Sequence, residues 1–73
     1  MKKVIVDTNI YSNAMRGDTA AIKIFQRYES LLISPIVIGE LFAGFRRGRH
    51  EEKNRLQLKE FLSRPRVKSI SIS

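Results

Sequence analysis

Lys3-Val4-Ile5-Val6-Asp7-Thr8-Asn9 is the stretch on which the fold turns. Its apolar residues are continuous and β-branched. Such a run suits a strand buried on both faces, as in a parallel sheet. Asp7 follows at once and would sit at the carboxyl end of that strand. In open parallel sheets, ligands bind beyond the carboxyl ends of the strands.

Working outward, Ile10 to Met15 reads as a short helix closed by Gly17. Asp18 and Thr19 can cap a second helix running to about Ser30, with Ile22, Phe25 and Tyr28 on one face. Leu31-Leu32-Ile33 is a second short buried strand. Ser34-Pro35 then starts a helix, with serine as cap and proline in the first turn. That helix carries Ile38, Leu41, Phe42 and Phe45 as its apolar stripe and ends near Arg46-Arg47-Gly48. A fourth helix spans about His50 to Ser63, buries Leu58, Phe61 and Leu62, and is stopped by Pro65. Val67 to Ile72 reads as a third strand. The order strand, helix, helix, strand, helix, helix, strand predicts an α/β layered domain with a parallel sheet and right-handed crossovers.

A chain of 73 residues allows one small domain of marginal stability, and no cysteine is present to staple it. No apolar run is long enough to span a bilayer. The start passes straight from Met1-Lys2-Lys3 into a strand, which is not the pattern of a signal peptide. A cytoplasmic protein is the expectation. Fourteen Lys and Arg against seven Asp and Glu give a net charge of +7. That balance points to a polyanionic partner, nucleic acid before an acidic protein, or else to a merely soluble basic surface.

Two acids stand out. Asp7 directly follows three hydrophobic residues, and it either caps the next helix or meets a cation. Glu40 is the only acid between Ser30 and Glu51, among Ile36, Val37, Ala43 and Gly44, so its face is expected to turn inward or border a cleft. Its partner is either an arginine such as Arg47 or a metal. Two carboxylates converging at a sheet's carboxyl edge attract a hard divalent cation, with Mg²⁺ typical. Such a metal can activate water for phosphodiester cleavage. Thr8 and Asn9 can hydrogen-bond the carboxylates or the water, or else serve the turn. His50 reads as a solvated loop residue. Arg46, Arg47 and Arg49 are the nucleic-acid contact candidates, or an ordinary basic helix terminus.

These residues resemble a known family. Val4-Ile5-Val6-Asp7-Thr8-Asn9-Ile10 looks like the opening signature of PIN domains, and Ile33-Ser34-Pro35-Ile36-Val37-Ile38-Gly39-Glu40-Leu41 resembles their second signature. Phe42-Ala43-Gly44-Phe45-Arg46-Arg47-Gly48 is similar to the VapC-type toxins of toxin–antitoxin pairs. The resemblance covers essentially the whole chain. It implies a three-layer α/β fold, here an incomplete PIN-like domain over residues 1–73 with about three strands and four helices. It also implies a Mg²⁺- or Mn²⁺-dependent endoribonuclease inhibited by a small antitoxin. Asp7 and Glu40 would be metal-site acids, and Thr8 an accessory polar group.

The family's third acid, and often a fourth, come from a later part that this sequence has no residue to match. Activity of the chain alone is therefore expected to be weak or absent. The first strand would be an apolar edge that invites self-association, for example as a homodimer. The alternative is a non-catalytic module that binds RNA or antitoxin through its basic surface.

Overall fold

The structure, a computed structural model, describes residues 2–70. Seven elements follow one another: β1 (Lys3–Ile5), α1 (Thr8–Met15), α2 (Thr19–Arg27), β2 (Ser30–Ile33), α3 (Pro35–Arg46), α4 (Glu51–Leu62) and β3 (Val67–Ser69). The three strands form one parallel sheet in the order β1-β2-β3. The expected element order and the α/β parallel architecture are what the chain adopts.

Local chemistry sets the boundaries. Asp7 caps α1 by accepting a hydrogen bond from the Ile10 amide at 2.7 Å. Gly17 closes α1 with φ of 90°, a backbone angle that glycine adopts without a Cβ penalty. Its amide donates to the Ala14 carbonyl while the Asp18 amide reaches back to Asn13, the paired bonds of a Schellman motif. Asp18 caps α2 by accepting from the Ala21 amide at 3.2 Å, and Ser34 caps α3 by accepting from Val37 at the same distance, with Pro35 in the first turn. His50 lies at the start of α4 without a side-chain cap, and Glu51 and Glu52 in the first turn complement the helix dipole instead.

Several boundaries differ from the sequence reading: α1 starts at Thr8 rather than Ile10, and β2 at Ser30 rather than Leu31. The second helix ends at Arg27, not Ser30, because the Tyr28 backbone turns extended and Ser30 enters the sheet, its amide donating to the Lys2 carbonyl. The Arg66 guanidinium holds this turn by donating to the backbone carbonyls of Phe25 and Tyr28. The third strand covers Val67–Ser69, and the expected extension through residues 71 and 72 lies outside the described residues.

The core assembles on one face of the sheet. Val4, Leu31 and Val67 stand in one cross-strand row, and Val6 and Ile33 lie two residues further along on the same side. Against them pack Tyr11 from α1, Leu41 from α3, and Leu58 and Phe61 from α4, with Phe25 of α2 alongside. Phe61 is the hub: Tyr11 meets it edge-on with centroids 5.1 Å apart, and Phe25 lies tilted at 5.5 Å. All four helices contribute residues to this core, so they lie on this side of the sheet.

The opposite face is a different surface. Ile5, Leu32 and Lys68 form its central row, with Lys3 beside them. Lys3 and Lys68 are exposed, Leu32 is half-buried, and Ile5 is 63% exposed. This corrects the expectation that the first strand is buried on both faces. Its uniformly apolar run is covered on the Val4–Val6 side alone, and it forms an edge of the sheet among the described residues.

Candidate functional site

Asp7 sits where the chain leaves the sheet. The Val6 amide still donates to the Leu32 carbonyl at 2.7 Å, and Asp7 is the next residue, at the carboxyl edge and exposed. The third helix leaves the same edge, because Ser34 directly follows β2. Glu40 lies in its second turn, about 9 Å along the axis at 1.5 Å per residue. Packing of α1 on α3 then closes the distance. The Thr8 hydroxyl donates to Glu40 Oε1 at 3.0 Å, joining residues 32 apart in sequence. The two signature segments thus meet at one point.

Asp7 does act as a helix cap, one of the two roles open to it, and the cap engages its Oδ1. Glu40 is exposed on the surface of α3, which excludes the inward-turned alternative, and it accepts a hydrogen bond from the Thr8 hydroxyl rather than pairing with Arg47. Among the described residues the ion pair that forms is Glu51 with Arg55, at 3.4 Å within α4. In a chain with twice as many cations as acids, neither Asp7 nor Glu40 takes one of them there. Asn9 is exposed, as are Arg46, Arg47, Arg49 and His50.

The donor chemistry of this pair fits a hard divalent cation. Carboxylate oxygens are the ligands Mg²⁺ takes, usually one or two of them completed by water and phosphate. Both side chains are accessible, and one hydrogen bond to each leaves further lone pairs free. Among the described residues no third His, Cys, Asp or Glu joins them to make a fuller ligand set.

One basic residue outside the Arg46–Arg49 run joins it in space. Arg55 of α4 lies over the Phe42 ring of α3, its guanidinium carbon 5.3 Å from the ring centroid. Together with Arg46 it lines a groove of about 360 Å³ between the two helices. No local signal marks Arg55, since its place beside Phe42 depends on how α3 and α4 pack.

Residues 4–73 match the PIN domain family, and the chain belongs to it. Its PIN domain is of the VapC type. The fold is similar to a chain in the crystal structure of VapBC2 from Rickettsia felis bound to a DNA fragment from their promoter, with a TM-score of 0.71 and 27% identity. The match covers 97% of this chain and 55% of that one, so the chain spans about half the length of the relative. The sequence matches no curated protein. Among the described residues, no helix is long and apolar enough to cross a membrane.

Proposed function

We propose that the chain carries part of the active site of a metal-dependent endoribonuclease toxin, which cleaves RNA phosphodiester bonds and is held in check by an antitoxin. The observation that carries this reading is the Thr8–Glu40 hydrogen bond, which joins the two signature segments beside Asp7. Family membership supports the chemistry, and the likeness to a chain of VapBC2 supports an antitoxin partner.

Asp7 and Glu40 would hold Mg²⁺ or Mn²⁺, and Thr8 orients Glu40 by donating to one of its oxygens. The metal, when bound, supplies a Lewis acid and an activated water. Asp7 is held in place by its cap bond to the Ile10 amide, so its free oxygen is oriented before any ligand arrives. The exposed arginines Arg46, Arg47 and Arg49 neutralise RNA phosphates as the strand crosses the site.

The test is an RNA-cleavage assay with Mg²⁺ or Mn²⁺ comparing the chain with Asp7→Asn and Glu40→Gln. Cleavage by the unaltered chain is expected to be weak, and to fall at least tenfold (~1.4 kcal/mol of barrier) in either variant. Equal cleavage by all three would sink the assigned roles.

A second reading, a non-catalytic binding module, draws support from the absence of a third clustered acid among the described residues. It expects RNA binding that is insensitive to chelator and falls steeply with salt. Cleavage that depends on both metal and Glu40 would exclude it.

A further inference from the structure

We infer that the groove between α3 and α4, lined by Gly39, Phe42, Ala43, Arg46 and Arg55, is a nucleotide subsite that holds a base and its phosphate next to the site at Glu40. This rests on RNA being the substrate, as proposed above, and names residues that contact it.

Four observations converge here. One groove residue, Ala43, lies three positions beyond Glu40 and is its neighbour on the surface of α3, which puts the groove on the stripe next to the one that carries Glu40. Two guanidinium groups from different helices, Arg46 and Arg55, line one cavity of about 360 Å³. Planar donor forks of this kind suit phosphate oxygens. The Arg55 guanidinium covers the Phe42 ring, so the surface offered to an unpaired base is the exposed side of this flat cation, backed by the aromatic.

The fourth observation concerns Gly39. Glycine in the interior of a helix destabilises it relative to alanine. A Cβ placed on Gly39 would meet nothing within 4 Å, so no packing inside the fold requires glycine there. An open wall with no side chain, beside two arginines and an aromatic, lets a strand approach the helix backbone closely.

Arg55 also has a local task, its ion pair with Glu51 on the same helix. That pair is exposed and intrahelical, so its loss should barely move the melting temperature. RNA affinity separates the two roles.

The experiment measures binding of a short fluorescent single-stranded oligoribonucleotide to the 73-residue chain by anisotropy. EDTA and constant salt keep cleavage and metal out of the readout. Arg55→Ala is expected to weaken binding about tenfold, the effect of losing one stacked base. Arg27→Ala, which removes an equal charge from α2, should show only the smaller loss common to any one cation. Arg55→Lys keeps the charge without the planar fork and should fall between them. Gly39→Ala should raise the melting temperature while lowering RNA affinity, two opposite movements that a purely structural groove would not produce. Equal affinity of Arg55→Ala and Arg27→Ala, or Gly39→Ala binding RNA as well as the unaltered chain, overturns the subsite and leaves the groove to a protein partner. Because the acids play no part in this measurement, its failure is distinct from a failure of the cleavage assay.

Discussion

The two faces of the sheet both carry branched apolar residues and meet opposite fates. On one side Val6 and Ile33 are fully buried under the helices, and on the other Ile5 is 63% exposed beside Lys3 and Lys68. From Val4 to Val6 the chain alternates valine and isoleucine without a change in polarity, so within that run side-chain type does not tell the faces apart, and only the flanking Lys3 and Lys68 mark the open one. The difference lies in topology. Strands added in one direction by crossovers of one hand carry all their helices to one side. A parallel sheet so covered has half of the burial its apolar strands are suited to.

The largest effect that could break this comparison lies under the covered face. Leu58 is wholly buried among residues from several elements, and Leu58→Ala should cost about 2–5 kcal/mol. In so small a domain that approaches the whole stability, so urea denaturation should find the variant largely unfolded. A loss below about 1 kcal/mol would mean that this face is not the core.

A second test uses pH. Tyr11 is buried on the covered side, its hydroxyl without a hydrogen-bond partner, and burial pushes its pKa from 10.0 up to about 12. Below pH 10 both folded and unfolded chains keep the proton, and the contribution is fully present. Between pH 10 and 12 the unfolded chain ionises while the folded chain does not, so stability falls as pH rises. The loss should reach about 2–3 kcal/mol by pH 12. Tyr11→Phe removes the unpaired hydroxyl, should be close to neutral at pH 7, and should lack this part of the alkaline decline. Identical alkaline profiles for the two proteins would show that Tyr11 is solvated.

The smallest effect belongs to the open face. Ile5→Thr keeps a β-branched residue in the strand and should change stability by no more than about 0.5 kcal/mol. If the open face and the β1 edge drive association of copies, sedimentation should show weaker self-association in this variant. Destabilisation above about 2 kcal/mol would show that Ile5 is covered in solution, and the contrast between the faces would fall.

Much of the fold could be read from local residues. Asp7, Asp18 and Ser34 mark three helix starts because a short polar side chain satisfies amides that the helix leaves open. Gly17 marks an end because the turn needs a positive φ. The sequence predicts a longer second helix because Tyr28 to Ser30 show no breaker. Their extended path is set by pairing with β1 and by the Arg66 contacts from the far end of the chain.

The candidate site was legible in part. The sequence singled out Asp7, Thr8 and Glu40 and could not show which of them touch. The apolar neighbours of Glu40 leave open whether its face turns inward or borders a cleft, and the helix turns that side chain to the surface, where Thr8 meets it. The arginines at Arg46, Arg47 and Arg49 were visible as a run, whereas Arg55 stands alone in α4 and gains its place only through Phe42.

By itself the sequence determined the succession of strands and helices, most of their caps, the basic charge and the two acids that mark a PIN domain. Those depend on residue type and short-range spacing, which act within a few residues along the backbone. Only the tertiary structure decided which face of the sheet is covered, that Thr8 bonds Glu40, and that Arg46 and Arg55 share one groove. Each of these depends on packing between segments far apart in sequence, whose relative placement no local propensity encodes.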